Sequence, residues 1–274
     1  ILAGAEKFPN MGEYVHSEYF REQGMRCGTA KAVAAVDRQT ARSVNDCTLA
    51  LTTIQHEYWL CDTVYTVQVW FHVIHRSDGL GNIPDAAIYG QVNVLNEDYR
   101  AMAGTRGSRG VDTRIRFELA GITRTLNDSW FNDLDNDGYT AALHRDTAKY
   151  VNVYTNTASG FLGYATYPQD TAGKINDGIV MNYGTIGGRD NGYQVYDQGR
   201  TLVHEMGHYL GLFHTFAGDS CSNTYDSGDL IVDTPGENTE HYECVQYNSC
   251  GTADPINNYC LLYTSDAADE EDSV

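Results

Sequence analysis

Residues 204 to 214 read His-Glu-Met-Gly-His-Tyr-Leu-Gly-Leu-Phe-His, a set of side chains whose spacing suits a metal ion. Two imidazoles four residues apart leave the same face of a helix, so His204 and His208 can reach one ion at about 2.0–2.1 Å. Gly211 can take the left-handed conformation that ends a helix, which turns the chain and brings His214 back as a third nitrogen donor. Three protein ligands leave one tetrahedral position open, the layout of a catalytic zinc rather than a structural one. Zinc held in this way acidifies water and polarises a carbonyl. Glu205, next to the first ligand, is placed to accept the water's proton and pass it to a leaving amine. The expected chemistry is peptide-bond hydrolysis, with Glu205 as the base.

The helix that must carry these residues is legible as well. Asp197 can cap it, and Leu202, Val203, Met206 and Leu210 form an apolar stripe at helical spacing. Upstream, the β-branched and aromatic run from Val64 to Ile74 predicts a buried first strand. Pro84 and Asp85 then open a helix on which Ile88, Val92, Leu95 and Tyr99 recur at helical spacing. Further short strands are expected from Arg114 to Leu119, Val151 to Thr155 and Gly178 to Tyr183. Interleaved strands and helices predict an α/β (α+β) fold, a twisted mixed sheet with the metal helix packed on one face and a loop-rich C-terminal subdomain.

These motifs together resemble the pappalysin group of metzincin metallopeptidases. The five fixed positions of H-E-x-x-H-x-x-G-x-x-H are all present, and His214-Thr215-Phe216, Cys221 and Gly228-Asp229-Leu230-Ile231-Val232-Asp233-Thr234-Pro235 are similar to the family's continuation. Gln91 to Asn96, Val151 to Tyr154, Gly163 to Ala165 and Asp177 to Val180 resemble family segments in the same order. The likeness implies a secreted zymogen acting on protein or peptide substrates. The chain divides into a pro-segment or N-terminal extension at residues 1–62, a metallopeptidase catalytic domain at 63–259 that is incomplete, and a non-native tail at 260–274. The likeness implies that the strand at Gly178 to Tyr183 borders the cleft and pairs with extended substrate. It also implies a Cys221–Cys250 disulfide with Cys244 unpaired, and calcium held by Asp229, Asp233 and Thr234, whose oxygens suit a hard cation but serve equally as caps and turn groups. Met25-Arg26-Cys27-Gly28-Thr29 resembles the family's pro-segment cysteine motif, in which the thiolate fills the open zinc position. A disulfide is the competing role, although Cys47 and Cys61 are close enough in sequence to pair with each other. Where relatives place the methionine of the Met-turn after Asn258-Tyr259, this chain has Cys260. The text from there to Val274 looks like a translated sequencing adapter.

Composition narrows the alternatives. The chain has 274 residues, 42% of them hydrophobic, enough for a sizeable core. A formal charge of -19 argues against nucleic acid, which needs clustered Lys and Arg. No apolar run is long enough to span a membrane, and a monomer is expected. Asp133 to Gly138 imitates half of a calcium loop, but His144 stands where a bidentate Glu is needed, which leaves a solvated acidic turn before a helix. His72 and His75 read as core or rim histidines rather than ligands. The rival from another class is a zinc-dependent binding or adhesion module, or an inactive fragment; the intact Glu205 speaks against the first.

Overall fold

The computed structural model of this chain describes residues 5–23, 27–29, 64–187, 196, 198–218, 221, 228–231, 234–241 and 245–255. Its centre is a five-stranded sheet in the order β2-β1-β3-β5-β4, with β1 at Tyr65–His75, β2 at Ile115–Leu126, β3 at Tyr150–Asn156, β4 at Gly163–Ala165 and β5 at Ile179–Asn182. Four strands run parallel and β4 alone is antiparallel, paired to β5. β1 is central and covered on both faces, which is why it reads as an almost continuous apolar run.

Val69, Phe71 and Val73 face one side, where they pack with Ile88, Val92 and Leu95 of helix α3 (Asp85–Tyr99) and with Leu202, Val203 and Met206. Ile74, Tyr154 and Val180 face the other side, against Phe131 and Tyr139. The first layer is the one that seats the metal helix. Ahead of the sheet, helices α1 (Met11–Val15) and α2 (Glu18–Gln23) build a small aromatic cluster of Tyr14, Val15 and Phe20 on Leu162 and Tyr196.

Two expectations need correction. The strand expected to end at Leu119 runs on to Leu126, because a bulge at Ala120 keeps β2 in register with the rest of β1: Val69 faces Leu119 and Trp70 faces Gly121. The strand expected to border the cleft does not. β5 is bonded on both sides, by β3 and β4, so the open edge belongs to the short β4, which lies beyond it.

The acidic turn does precede a helix. Asp135 caps α5 (Asn136–Leu143; α4 is Asp128–Phe131) by accepting from the Gly138 N–H. Yet Asp133 is half-buried and heavily bonded: its carboxylate accepts from Tyr139 Oη, Tyr164 Oη, Ser159 Oγ and Asn156 Nδ2 at 2.7–3.1 Å. Those donors occupy the oxygens a calcium ion would need.

His72 is a core residue, as its place in β1 suggests. It is buried, stacked on Tyr154, and bridges Thr123 Oγ1 (2.8 Å) and Asn152 Oδ1 (3.0 Å) with its two nitrogens. His75 ends the strand, its Nδ1 3.1 Å from the Arg76 carbonyl. Burial pulls the His72 imidazole from 6.5 down to about 4, against the Asn152 hydrogen bond. Unfolded His72 takes a proton below about 6.5 and folded His72 only below about 4, so stability falls as pH drops through that window. The share due to this residue is roughly 3 kcal/mol. Urea melts of the wild type and of His72→Gln at about pH 7 and about pH 4.5 should show a smaller pH decrement in the variant; equal decrements would mean that His72 carries a proton inside the fold.

Candidate metal centre

Helix α7 spans Arg200–Tyr209, and α3 sets its position at three points. Gln91 donates from Nε2 to the Gly199 carbonyl (2.8 Å) and accepts from the Gly187 N–H (3.1 Å), fixing the backbone just before the helix. Asp98, its side chain fully buried, pairs with Arg200 Nε at 3.0 Å. Tyr99 Oη donates to the Val203 carbonyl at 3.3 Å. The N-cap is Gly199 in the left-handed conformation (φ 74°), not Asp197, which lies outside the described residues. At the other end the stripe stops earlier than expected. Leu210 is the C-cap and 41% exposed, because the chain turns at Gly211, where φ is 102°. That turn is the one the spacing predicted, and it delivers His214.

The three imidazoles meet. Nε2 of His208 lies 2.9 Å from Nε2 of His204, and Nε2 of His214 lies 3.1 Å from each. All three are buried. Burial first, and the neighbouring imidazoles second, push His208 and His214 well below the ordinary histidine range, so both are neutral. Neutral rings in a triangle cannot satisfy one another. Each Nε2 is either protonated or a lone pair, so at least one of the three pairs must confront like with like. A cation at the centre removes the conflict by accepting all three lone pairs. His208 is already set for that: its Nδ1–H donates to the Leu212 carbonyl at 2.7 Å, leaving the Nε2 lone pair inward. The donor set, three nitrogens and an open side, fits zinc.

Glu205 is wholly buried beside this triangle, and burial lifts its carboxyl to about 7, with Cys27 and Thr29 hydrogen bonds pulling the other way. Gly163 of β4 allows the approach. A Cβ there would stand 2.9 Å from Met181 Sδ and 3.0 Å from Glu205 Cγ.

The N-terminal segment enters the same space. Cys27 forms a parallel bridge with Gly163, and the Gly28 N–H donates to the Gly163 carbonyl at 2.9 Å. Thr29 Oγ1 accepts from the Ala165 N–H (2.8 Å) and donates to Glu205 Oε2 (3.0 Å). Cys27 is buried and in no disulfide, and its Sγ and the three histidine nitrogens all lie within 4.8 Å of one another. Burial, then the Glu205 charge, raises its thiol well above the ordinary range. Thr29 was not singled out as a functional residue by sequence reasoning; its only signal is its position two residues after Cys27.

The remaining expected residues are more scattered. Asp229 is buried and accepts from the Ile231 N–H at 2.9 Å, and the Thr234 N–H reaches the Ile231 carbonyl at 3.4 Å. Asp233 lies outside the described residues, as do Cys47, Cys61, Cys244, Asn258, Tyr259 and the 260–274 tail. Cys221 and Cys250 form the expected disulfide.

Comparison with known proteins agrees with this geometry. A model of peptidase family M43, described as pregnancy-associated plasma protein-A, matches residues 134–267. An extracellular metalloprotease of Arthroderma benhamiae is 34% identical over 203 residues, covering 71% of this chain and 68% of that protein. Among solved structures, Tannerella forsythia mature mirolysin in complex with a cleaved peptide is 28% identical over 73% of this chain and 84% of its own, with a TM-score of 0.58. A Tannerella forsythia promirolysin variant covers 86% of each chain at 26% identity, with a TM-score of 0.63.

Proposed function

The chain belongs to the pappalysin (M43) family of metallopeptidases, and from that premise we propose that it is a zinc endopeptidase in which His204, His208 and His214 hold the metal and Glu205 moves the proton. The observation that carries this is the buried triangle of Nε2 atoms at 2.9–3.1 Å with Glu205 adjoining it. Zinc bound there supplies Lewis acidity toward water and the scissile carbonyl. The side chains do the rest. Glu205, raised to about 7 by burial, can accept a proton from the attacking water and release it to the leaving amine near neutral pH. Gly163 and Ala165 offer the backbone groups of an open sheet edge, to which an extended peptide can add as a further strand. The substrate is accordingly a protein or peptide in extended form. Secretion is supported by the name of the Arthroderma relative and by the Cys221–Cys250 disulfide. Residues 63–259 are the catalytic unit and residues 1–62 the pro-segment, with 260–274 a tail foreign to both.

In this form the chain is latent. Cys27 and Thr29 occupy the edge and reach the metal ligands and the base together: the thiol is placed to take the open zinc position, and the Thr29 hydroxyl ties up Glu205. Asp229, Asp233 and Thr234 enter the same proposal as the calcium-binding loop, on the chemistry of their oxygens.

Glu205→Ala should keep zinc and lose activity by ~10²–10⁴-fold on a peptide substrate, because the glutamate makes no metal bond. Retained hydrolysis in the variant would remove Glu205 from the mechanism. Cys27→Ala should shorten the lag before proteolytic activation, and Thr29→Val should do so to a lesser degree; an unchanged lag in both would mean that the segment's docking does not set latency. For the calcium loop, the melting temperature should rise when calcium replaces EGTA, and a temperature indifferent to both takes the loop out of the proposal.

A further inference from the structure

A second cluster of ligating atoms lies in the loops beyond the metal helix. One donor atom each from Glu237, His241 and Asp254 lies within 4.8 Å of the others. His241 Nε2 is 3.0 Å from Asp254 Oδ2 and 3.9 Å from Glu237 Oε1. Both carboxylates are fully buried at the side chain, and the imidazole is 12% exposed.

The partners of each group are arranged as around a metal ligand, with one oxygen held by the fold and the other directed inward. Glu237 Oε2 accepts from Thr215 Oγ1, while the buried Oε1 accepts from no described residue. Asp254 Oδ1 accepts from the Ser249 N–H (3.0 Å) and Ser249 Oγ (3.2 Å), and Oδ2 turns to His241 while sharing the Ser249 N–H at 3.2 Å. The His241 ring lies flat on Tyr247, 3.7 Å between centres and 2° from parallel, so its orientation is fixed.

Charge points the same way. Two buried carboxylates face one imidazole, and with both ionised even a protonated His241 leaves one negative charge uncompensated, a costly state in a buried site. The segment after Arg200 contains no Lys or Arg, and no described ion pair brings one to either carboxylate. A divalent ion with a neutral imidazole brings the sum to zero.

We propose that Glu237, His241 and Asp254 form a second metal site that takes zinc, three protein donors with the fourth position left to water. One nitrogen and two carboxylate oxygens suit a borderline transition ion, whereas calcium takes oxygen ligands alone. The ion would staple the segment after His214, through Thr215 and Glu237, to the Ser249–Asp254 turn that the Cys221–Cys250 disulfide also anchors.

Zinc stoichiometry decides it. After saturation with zinc and exhaustive dialysis, the wild-type chain should hold two zinc ions by elemental analysis, and His241→Ala and Glu237→Gln one each. His208→Ala should also hold one, at the second site, which separates this proposal from the catalytic one: if only the latter fails, the wild type and His208→Ala both hold one while His241→Ala holds none. A His241→Ala protein that holds as much zinc as the wild type, whether one ion or two, overturns the site and leaves a protonated histidine between two carboxylates. A wild-type count of two supports both sites, and peptide mapping of the Cys221–Cys250 bridge checks that His241→Ala is folded.

Discussion

Three imidazoles held with their Nε2 atoms about 3 Å apart in a buried space form an arrangement that no protein would adopt for its own sake. The surrounding structure exists to enforce it. Helical periodicity supplies His204 and His208 without further cost, since four residues return a side chain to the same face. His214 depends on Gly211, whose φ of 102° is one that a side chain would strain. The helix in turn has no side-chain N-cap; Gln91, Asp98 and Tyr99 of α3 hold its first turn from outside. Rigid placement of the ligands therefore rests on a contact between two helices that are 100 residues apart in sequence and share one face of the sheet.

The same arrangement explains why the edge of the sheet and the N-terminal segment are coupled. β4 is three residues long, and its outward N–H and C=O groups lack a strand partner. Cys27-Gly28-Thr29 supplies one, bonding to both Gly163 and Ala165. A segment docked along that edge is carried directly over Glu205, because Gly163 has no Cβ to keep the strand away from it. Edge pairing and access to Glu205 are therefore one geometric event.

How much of this was legible depended on the range of each interaction. Periodicity found β1, α3, β3 and the metal helix nearly to the residue, since a buried face of Val67, Val69, Phe71 and Val73 or of Ile88, Val92 and Leu95 is written locally. The eleven-residue metal pattern was complete in itself. What escaped were features settled by distant partners. The order of strands decides which one is the edge, and local sequence does not tell β4 from β5 in that respect. The extension of β2 past Leu119 follows from its register with β1 across a bulge. Asp133 looks solvated until Tyr164 and Ser159 are folded back over it, and Thr29 acquires meaning only beside Glu205.

The C-terminal loops obey a different rule from the sheet. Between His214 and Asp254 the described chain contains no helix or strand, and Leu230 and Val245 are among its exposed apolar residues. Burial of apolar surface cannot hold such a segment in one shape, so its order must come from cross-links and polar contacts. The Cys221–Cys250 bridge is one. The Thr215–Glu237 and Ser249–Asp254 hydrogen bonds are others, and they converge on His241. Because Thr215 directly follows His214, whatever fixes Glu237 also fixes the third metal ligand from its far side. The loops thus brace His214 rather than hanging from it as an appendage, and their buried carboxylates meet Thr215, Ser249 and His241.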